Sequence, residues 1–154
     1  MNARRYLWIA TANIKMTVVR YANRFVSFPD IMSIMIDRGV AIRIIHAELP
    51  SGPFRQRYDR IDTKSRLSSC VEFLHCPRMH AKIFIVDGTH ALVGSSNLTG
   101  AGMGAKARDK RNFEVGILFE NDIETKPYVE YFDHLWIGGQ CKDCGRRGIC
   151  PAPL

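Results

Sequence analysis

The sequence predicts an α/β domain built on a mixed β-sheet layered with helices. Three observations carry this. Apolar, β-branched runs of strand length alternate with segments that have helix start and stop signals. A strand-turn-strand pattern occupies the middle of the chain, and a single apolar stripe at helical spacing follows it. With 154 residues, 46% of them hydrophobic, and no repeat or low-complexity tract, the chain suits one domain with a sizeable core.

Tyr6 to Ala12 reads as a first buried strand. Two arginines ahead of it give a superficial likeness to a secretion signal, but the apolar stretch is short and runs into Asn13 and Lys15 without a cleavage site. Val18 to Phe25 reads as helical. Ser27, Pro29 and Asp30 supply start signals for a helix that Gly39 ends. VAIRIIHAEL, 40–49, has the apolar character of a strand covered on both faces. The segment 51–70 contains Pro53, five basic residues and only Asp59 and Asp62 as acids, and is expected to be a loop with a helical turn. Val71 to His75, a central hairpin and a strand from Phe113 follow. Asp122 to Trp136 is a helix whose Tyr128, Tyr131, Phe132, Leu135 and Trp136 make one buried stripe. The expected division is a domain over 1–137 and a cysteine-rich tail over 138–154.

The hairpin HAKIFIVDGTHALVGSSNLTG, 80–100, carries a histidine, a lysine, serines and an asparagine among its apolar residues. Asp87-Gly88 is a favoured two-residue turn. With those two as the loop, Val86 pairs with Thr89, Phe84 with Ala91, Lys82 with Val93 and His80 with Ser95. Alternation along each strand then places His80, Lys82, Ser95 and Asn97 on one face, at the end away from the turn. An imidazole, a cation and two neutral hydrogen-bonding groups are what is needed to grip a phosphate and attack it. His90 has no such company and reads as structural.

His80, Lys82 and Asp87 have the spacing H-x-K-x4-D, and Gly94, Ser95 and Asn97 give G-S-x-N. The pattern resembles the full signature of the phospholipase D superfamily. RNFEVGILFE, 111–120, resembles that family's following strand, with Glu114 where many members place a glutamate near the catalytic histidine. The resemblance implies a single phospholipase D-like domain. The chemistry expected of it is phosphodiester cleavage in which His80 is the nucleophile and forms a phosphohistidine, with no metal required for catalysis. Lys82, Ser95 and Asn97 would hold the phosphate, and Glu114 would orient the imidazole. Asp87 belongs to the signature but lies in the turn, far along the strand from His80, and is expected to be structural. One imidazole per chain leaves the departing oxygen without an acid. Single-motif members of the superfamily resemble this case and meet the need by dimerising, so a homodimer with a shared site is expected.

Charge points to the partner. The net charge is +7, and the basic surplus gathers at Arg55, Arg57, Arg60, Lys64 and Arg66 and again at Lys106, Arg108, Lys110 and Arg111. The second group follows Asn97 through a glycine-rich stretch with Gly100, Gly102 and Gly104, expected to be a mobile loop able to close on a polyanion. A nucleic acid, DNA or RNA, is the expected substrate. A phospholipid hydrolase or transphosphatidylase and a non-catalytic nucleic-acid-binding module are the alternatives. The longest apolar runs are short of a membrane span, and a cytoplasmic location is expected.

Five cysteines in a chain without an export signal argue against a disulfide framework. CKDCGRRGICP places Cys141 and Cys144 in a C-x2-C-G knuckle and Cys150 beyond it. With Cys76 as fourth ligand these would make a structural zinc site; Cys70 and His75 are alternative ligands, and an iron-sulfur cluster is the alternative metal centre.

Overall fold

Period-two alternation in the strands decides how the layers form. In the computed structural model, which describes residues 3–65 and 67–154, the side chains of 63–65 apart, strand β1 (Tyr6–Thr11) sends Leu7 and Ile9 to one face and Trp8 and Ala10 to the other. Strand β4 (Ala41–His46) does the same with Ile42 and Ile44 against Ile45. Strand β6 (Ile83–Val86) does it with Phe84 against Ile83 and Ile85. Each central strand therefore needs cover on both sides.

The cover on the first face is helix α1 (Phe28–Ile36) and helix α2 (Gly52–Ser65), which bring Phe28, Ile31, Met32 and Phe54. Helix α3 (Asp122–Trp136) covers the second face, with Phe132 wholly buried against Ala10, Ile45 and Ile85. The sheet has the order β5-β4-β1-β6-β7-β8, where β5 is Val71–His75, β7 His90–Gly94 and β8 Gly116–Phe119. β1, β4 and β5 run parallel, and β6, β7 and β8 follow as an antiparallel meander. The mixed sheet layered with helices is the predicted fold class. Arg43, the one charge inside β4, is kept by a 2.8 Å ion pair with Glu72 and by stacking over Trp8 and Trp136.

Two local expectations are corrected. Val18 to Phe25 is not helical: Val18–Tyr21 (β2) and Arg24–Ser27 (β3) form a two-stranded hairpin. Ala22 and Asn23 turn it with φ of 46° and 61°, the left-handed pair that a two-residue hairpin requires and that asparagine tolerates. The segment 51–70 is mostly helix rather than loop. Pro53 sits in the first turn of α2, where the missing N–H is no loss, and Phe54, Tyr58 and Ile61 recur at helical spacing to form a narrow buried stripe. The α3 stripe holds at Phe132, while Tyr131 within it is 46% exposed.

Candidate active site

The hairpin register differs from the expected one by a residue. Val86 pairs with His90, Ile85 with Ala91 and Ile83 with Val93, so the loop has three residues, Asp87, Gly88 and Thr89. The reason lies in Asp87, which adopts φ 55°. Its carboxylate accepts the backbone N–H groups of Arg4, Arg5 and Tyr6 at 2.8, 2.8 and 2.9 Å and so fixes the entry of β1. Partial burial opposes its charge, but those three N–H donors and the Arg5 charge outweigh it and lower its pKa.

Asp87 is thus a structural member of the signature, at the opposite end of β6 from His80. Asp87→Ala is expected to destabilise the fold by about 1–3 kcal/mol through orphaned N–H groups, with activity per folded molecule kept. Because the folded-state pKa lies below the unfolded one, this contribution is present above the unfolded pKa and is lost as pH falls through the folded pKa. Urea melts of wild type and variant should therefore converge in acid.

The slip puts Lys82 opposite Gly94, whose N–H donates to the Lys82 carbonyl at 3.1 Å, instead of Val93. Taken alone it would send Lys82 and Ser95 to opposite faces. The chain leaves the ladder at Gly94 and turns toward β8 instead. A Cβ at Gly94 would stand 2.3 Å from the Val115 carbonyl, so only glycine permits this approach. Ser95 then donates its N–H to Val115 at 2.9 Å and its hydroxyl to Glu114, while its Oγ accepts the Val115 N–H at 3.0 Å. Ser96, not Ser95, joins Lys82 and Glu114 in lining a cavity of about 160 Å³.

His80 is exposed, just after the buried Met79, and its ring has no hydrogen bond among the described residues. Lys82 is 9% exposed, and its ammonium donates to the His80 carbonyl at 2.5 Å, which ties the cation to the histidine backbone. Asn97 is held by its oxygen: Oδ1 lies 3.1 and 3.3 Å from the N–H groups of Ala12 and Asn13 and 3.2 Å from the Thr11 hydroxyl. That fixes the amide orientation and leaves Nδ2 as the outward donor. Thr11 is wholly buried and also accepts the Leu98 N–H at 3.1 Å, so the end of β1 sets the position of the G-S-x-N turn.

Among the described residues Glu114 is bonded to Ser95 and Asn112 and not to the His80 imidazole. It precedes β8, two strands away from β6, and accepts from Ser95 and from Asn112 Nδ2 at 3.0 Å. These two hydrogen bonds, with the Lys82 charge adding to them against some desolvation, lower its pKa and keep it anionic beside the cation. Thr11 and Asn112 were not among the predicted site residues. The signal for Thr11 was a hydroxyl at the buried end of an apolar strand.

The turn after Asn97 is more built than a free glycine loop. Met103 N–H bonds Thr99 at 2.8 Å and Ala105 bonds Gly100 at 2.8 Å. Lys106, Arg108, Lys110 and Arg111 are all exposed on the segment that follows. The Arg111 guanidinium braces it on the Lys106 carbonyl at 2.8 Å, and Asn112 N–H returns it to Ala101 at 3.3 Å. The other basic group is divided: Arg57 is committed to Asp30, while Arg66 and the side chain of Lys64 lie outside the described residues.

The expected zinc ligands do not stand at bonding separation. Among the described residues no three His, Cys, Asp or Glu side chains stand close enough to hold an ion as they are. All five cysteines are free. The tail turns instead along the segment after β5, with Arg146 Nη1 on the Pro77 carbonyl at 2.9 Å.

Comparison with known proteins fits this arrangement. The family described as "Cardiolipin synthase, PLD-like domain" matches residues 1–136, and the chain belongs to the phospholipase D superfamily. Among solved structures it is similar to Nuc from Salmonella typhimurium, a phospholipase D family member, at 19% identity and a TM-score of 0.58 over 88% of this chain and 80% of that one. NucT from Helicobacter pylori gives 14%, 0.58 and the same coverages. TrmBL2, an archaeal chromatin protein, gives 14% and 0.57 over 88% of this chain and 44% of that one. At these identities the likeness is one of fold. A search of curated proteins finds no match.

Proposed function

We propose that this chain is a phosphodiesterase that hydrolyses nucleic-acid phosphodiester bonds through a phosphohistidine on His80, at a site shared by two copies and without a catalytic metal. The observation that carries the reading is the exposed His80 ring beside a buried Lys82, with the Asn97 amide held by its oxygen on the end of β1. An accessible nucleophile near pinned donors matches the demand of a phosphoryl transition state, whose charge sits on the non-bridging oxygens.

In the first step, neutral His80 attacks phosphorus, the bond to the leaving oxygen breaks, and a second imidazole, protonated, gives that oxygen its proton. In the second, water attacks phosphorus, the second imidazole takes the water's proton, the P–N bond breaks and His80 leaves neutral. Lys82 neutralises charge on the phosphate, and Glu114, through Ser95, holds the β7 to β8 turn in place. The second imidazole is His80 of a second copy. Support for such a partner is the exposed apolar row on the site's own edge: Phe113 at 106%, Val115 at 76%, Ile117 at 61% and Leu118 at 56% exposure.

A phosphatidyl-transfer reading is favoured by the family description and by the same apolar row. Among the described residues no helix is long and apolar enough to cross a membrane. The basic turn favours nucleic acid. The deciding assay sets single- and double-stranded DNA, RNA and phosphatidylcholine vesicles against the purified protein, with and without EDTA. Cleavage of nucleic acid unaffected by EDTA is expected. Retention should fall with salt by about 0.7–0.9 log units per log unit of salt for each phosphate contact, and neutralising Lys106, Arg108, Lys110 and Arg111 should flatten that slope. Immediate EDTA inhibition reversed by magnesium would defeat the mechanism, lipid turnover alone would favour phosphatidyl transfer, and retention without turnover would leave a binding module.

A further inference from the structure

Four of the five cysteines line one cavity of about 300 Å³. Cys76 comes from the segment that follows β5, and Cys141, Cys144 and Cys150 come from the tail. The fifth, Cys70, lies outside it, next to Ser69. Residues 65 positions apart in the chain thus bring sulfur to one hollow. Two guanidinium groups reach the same place. Arg78 Nη1 donates to Cys144 Sγ at 3.6 Å, and Arg146 Nη1 ties the tail to the Pro77 carbonyl, one residue after Cys76. The C-x2-C segment is a tight turn, with Cys144 N–H on the Cys141 carbonyl at 3.3 Å. The two histidines on the cavity wall are otherwise engaged: His75 Nε2 with the Ala47 carbonyl at 2.9 Å, His134 Nε2 with Gln140 at 3.0 Å.

We propose that Cys76, Cys141, Cys144 and Cys150 are the four thiolate ligands of one zinc ion, which fastens the tail to the segment leading into His80. Four thiolates around Zn²⁺ leave a net charge of about −2, and Arg78 and Arg146 stand where that charge needs compensation. Two disulfides drawn from the same cysteines would be neutral and would leave the Arg78 guanidinium with no anionic sulfur to face. The backbone brings the ligands to one cavity but not to bonding separation, so binding requires rotation of the thiols inward and pulls Cys76 onto the tail. Cys76 is four residues before His80, and Met79 N–H bonds the Cys76 carbonyl at 2.8 Å, so the ion braces the turn from which His80 projects. This holds whether or not the chain is a nuclease.

The test is metal content and ligand identity on the full chain, purified under reducing conditions without chelator. About one zinc per chain is expected, released when a mercurial titrates the thiols. Cobalt added to metal-stripped protein should give the intense thiolate-to-metal charge-transfer bands and visible absorption of a tetrahedral four-sulfur site. Cys76→Ser and Cys144→Ser should weaken cobalt binding by on the order of 10²-fold or more, and Cys70→Ser should leave it unchanged. The cobalt spectrum of the wild type stands even where a serine variant fails to fold. Protein without metal that takes up no cobalt, iron with acid-labile sulfide in place of zinc, or an unchanged spectrum in Cys76→Ser would overturn the assignment.

Discussion

His80→Ala is expected to abolish turnover, by at least ~10³-fold if the imidazole is the nucleophile, while melting temperature and nucleic-acid retention stay near wild type. The separation of effects follows from where the side chain sits. Its ring is exposed and makes no hydrogen bond among the described residues, so truncation opens no cavity and orphans no donor. The groups that would hold the phosphate, Lys82 and Asn97, are fixed by the His80 carbonyl and by the end of β1, neither of which the substitution touches. Lys82→Ala should also lose nearly all rate, since a buried cation is removed from the path of the developing charge. His90→Ala should do nothing: it lies at the far end of the hairpin, its Nδ1 paired with the Thr89 hydroxyl at 3.0 Å. Unchanged turnover in His80→Ala would remove the nucleophile from the mechanism, and loss of fold would mean that the ring has a packing role. Steady-state kinetics beside a thermal melt and a filter-binding curve separates these outcomes.

How much of this was legible in the sequence depends on which force decided each part. The layered sheet was, because the near-continuous apolar runs in YLWIAT, AIRIIH and IFIV are dictated by burial on both faces, and burial dominates the energy of folding. The α3 boundaries were, because Asn121 caps the first turn and the chain stops at a glycine pair. α2 was obscured by its charge: of Phe54, Tyr58 and Ile61 only a thin stripe is apolar, and Pro53 reads as a breaker until it is placed in the first turn. Register was the harder matter. A two-residue turn is the common solution for Asp-Gly, but the Asp87 carboxylate is spent on the N–H groups of Arg4, Arg5 and Tyr6, more than eighty residues away, and no local rule contains that contact. The same non-locality hid Thr11 behind Asn97 and exchanged His80 for Ser95 as the partner of Glu114. The residue types of the site were readable, and their pairings were not.

Mixing inactive His80→Ala chains with wild type is expected to reduce activity faster than the wild-type fraction falls. The proton balance demands it. Cleavage uses one imidazole neutral, to attack, and another protonated, to donate. Each chain supplies one signature histidine, so on the proposed mechanism the second would come from a second copy across a two-fold axis, the commonest closed symmetry of soluble oligomers. The surface proposed for that copy is the open edge of the sheet. β8 has a partner on one side only, and Phe113 and Val115 just before it and Ile117 and Leu118 within it are exposed, next to Glu114 and Ser95. Burying such a row against its own copy satisfies an edge that would otherwise invite aggregation. With free exchange of subunits, an equal mixture holds about a quarter wild-type pairs and about half mixed pairs. If mixed pairs are dead, activity falls to about a quarter of the unmixed value rather than a half. Ile117→Lys offers a second route to the same test: it should give a folded monomer that has lost turnover and keeps its melting curve, because the substitution is on an exposed position. Activity in strict proportion to the wild-type fraction under demonstrated exchange, or a monomer that turns over at the full rate, would show that one chain carries both protons and would end the shared-site reading.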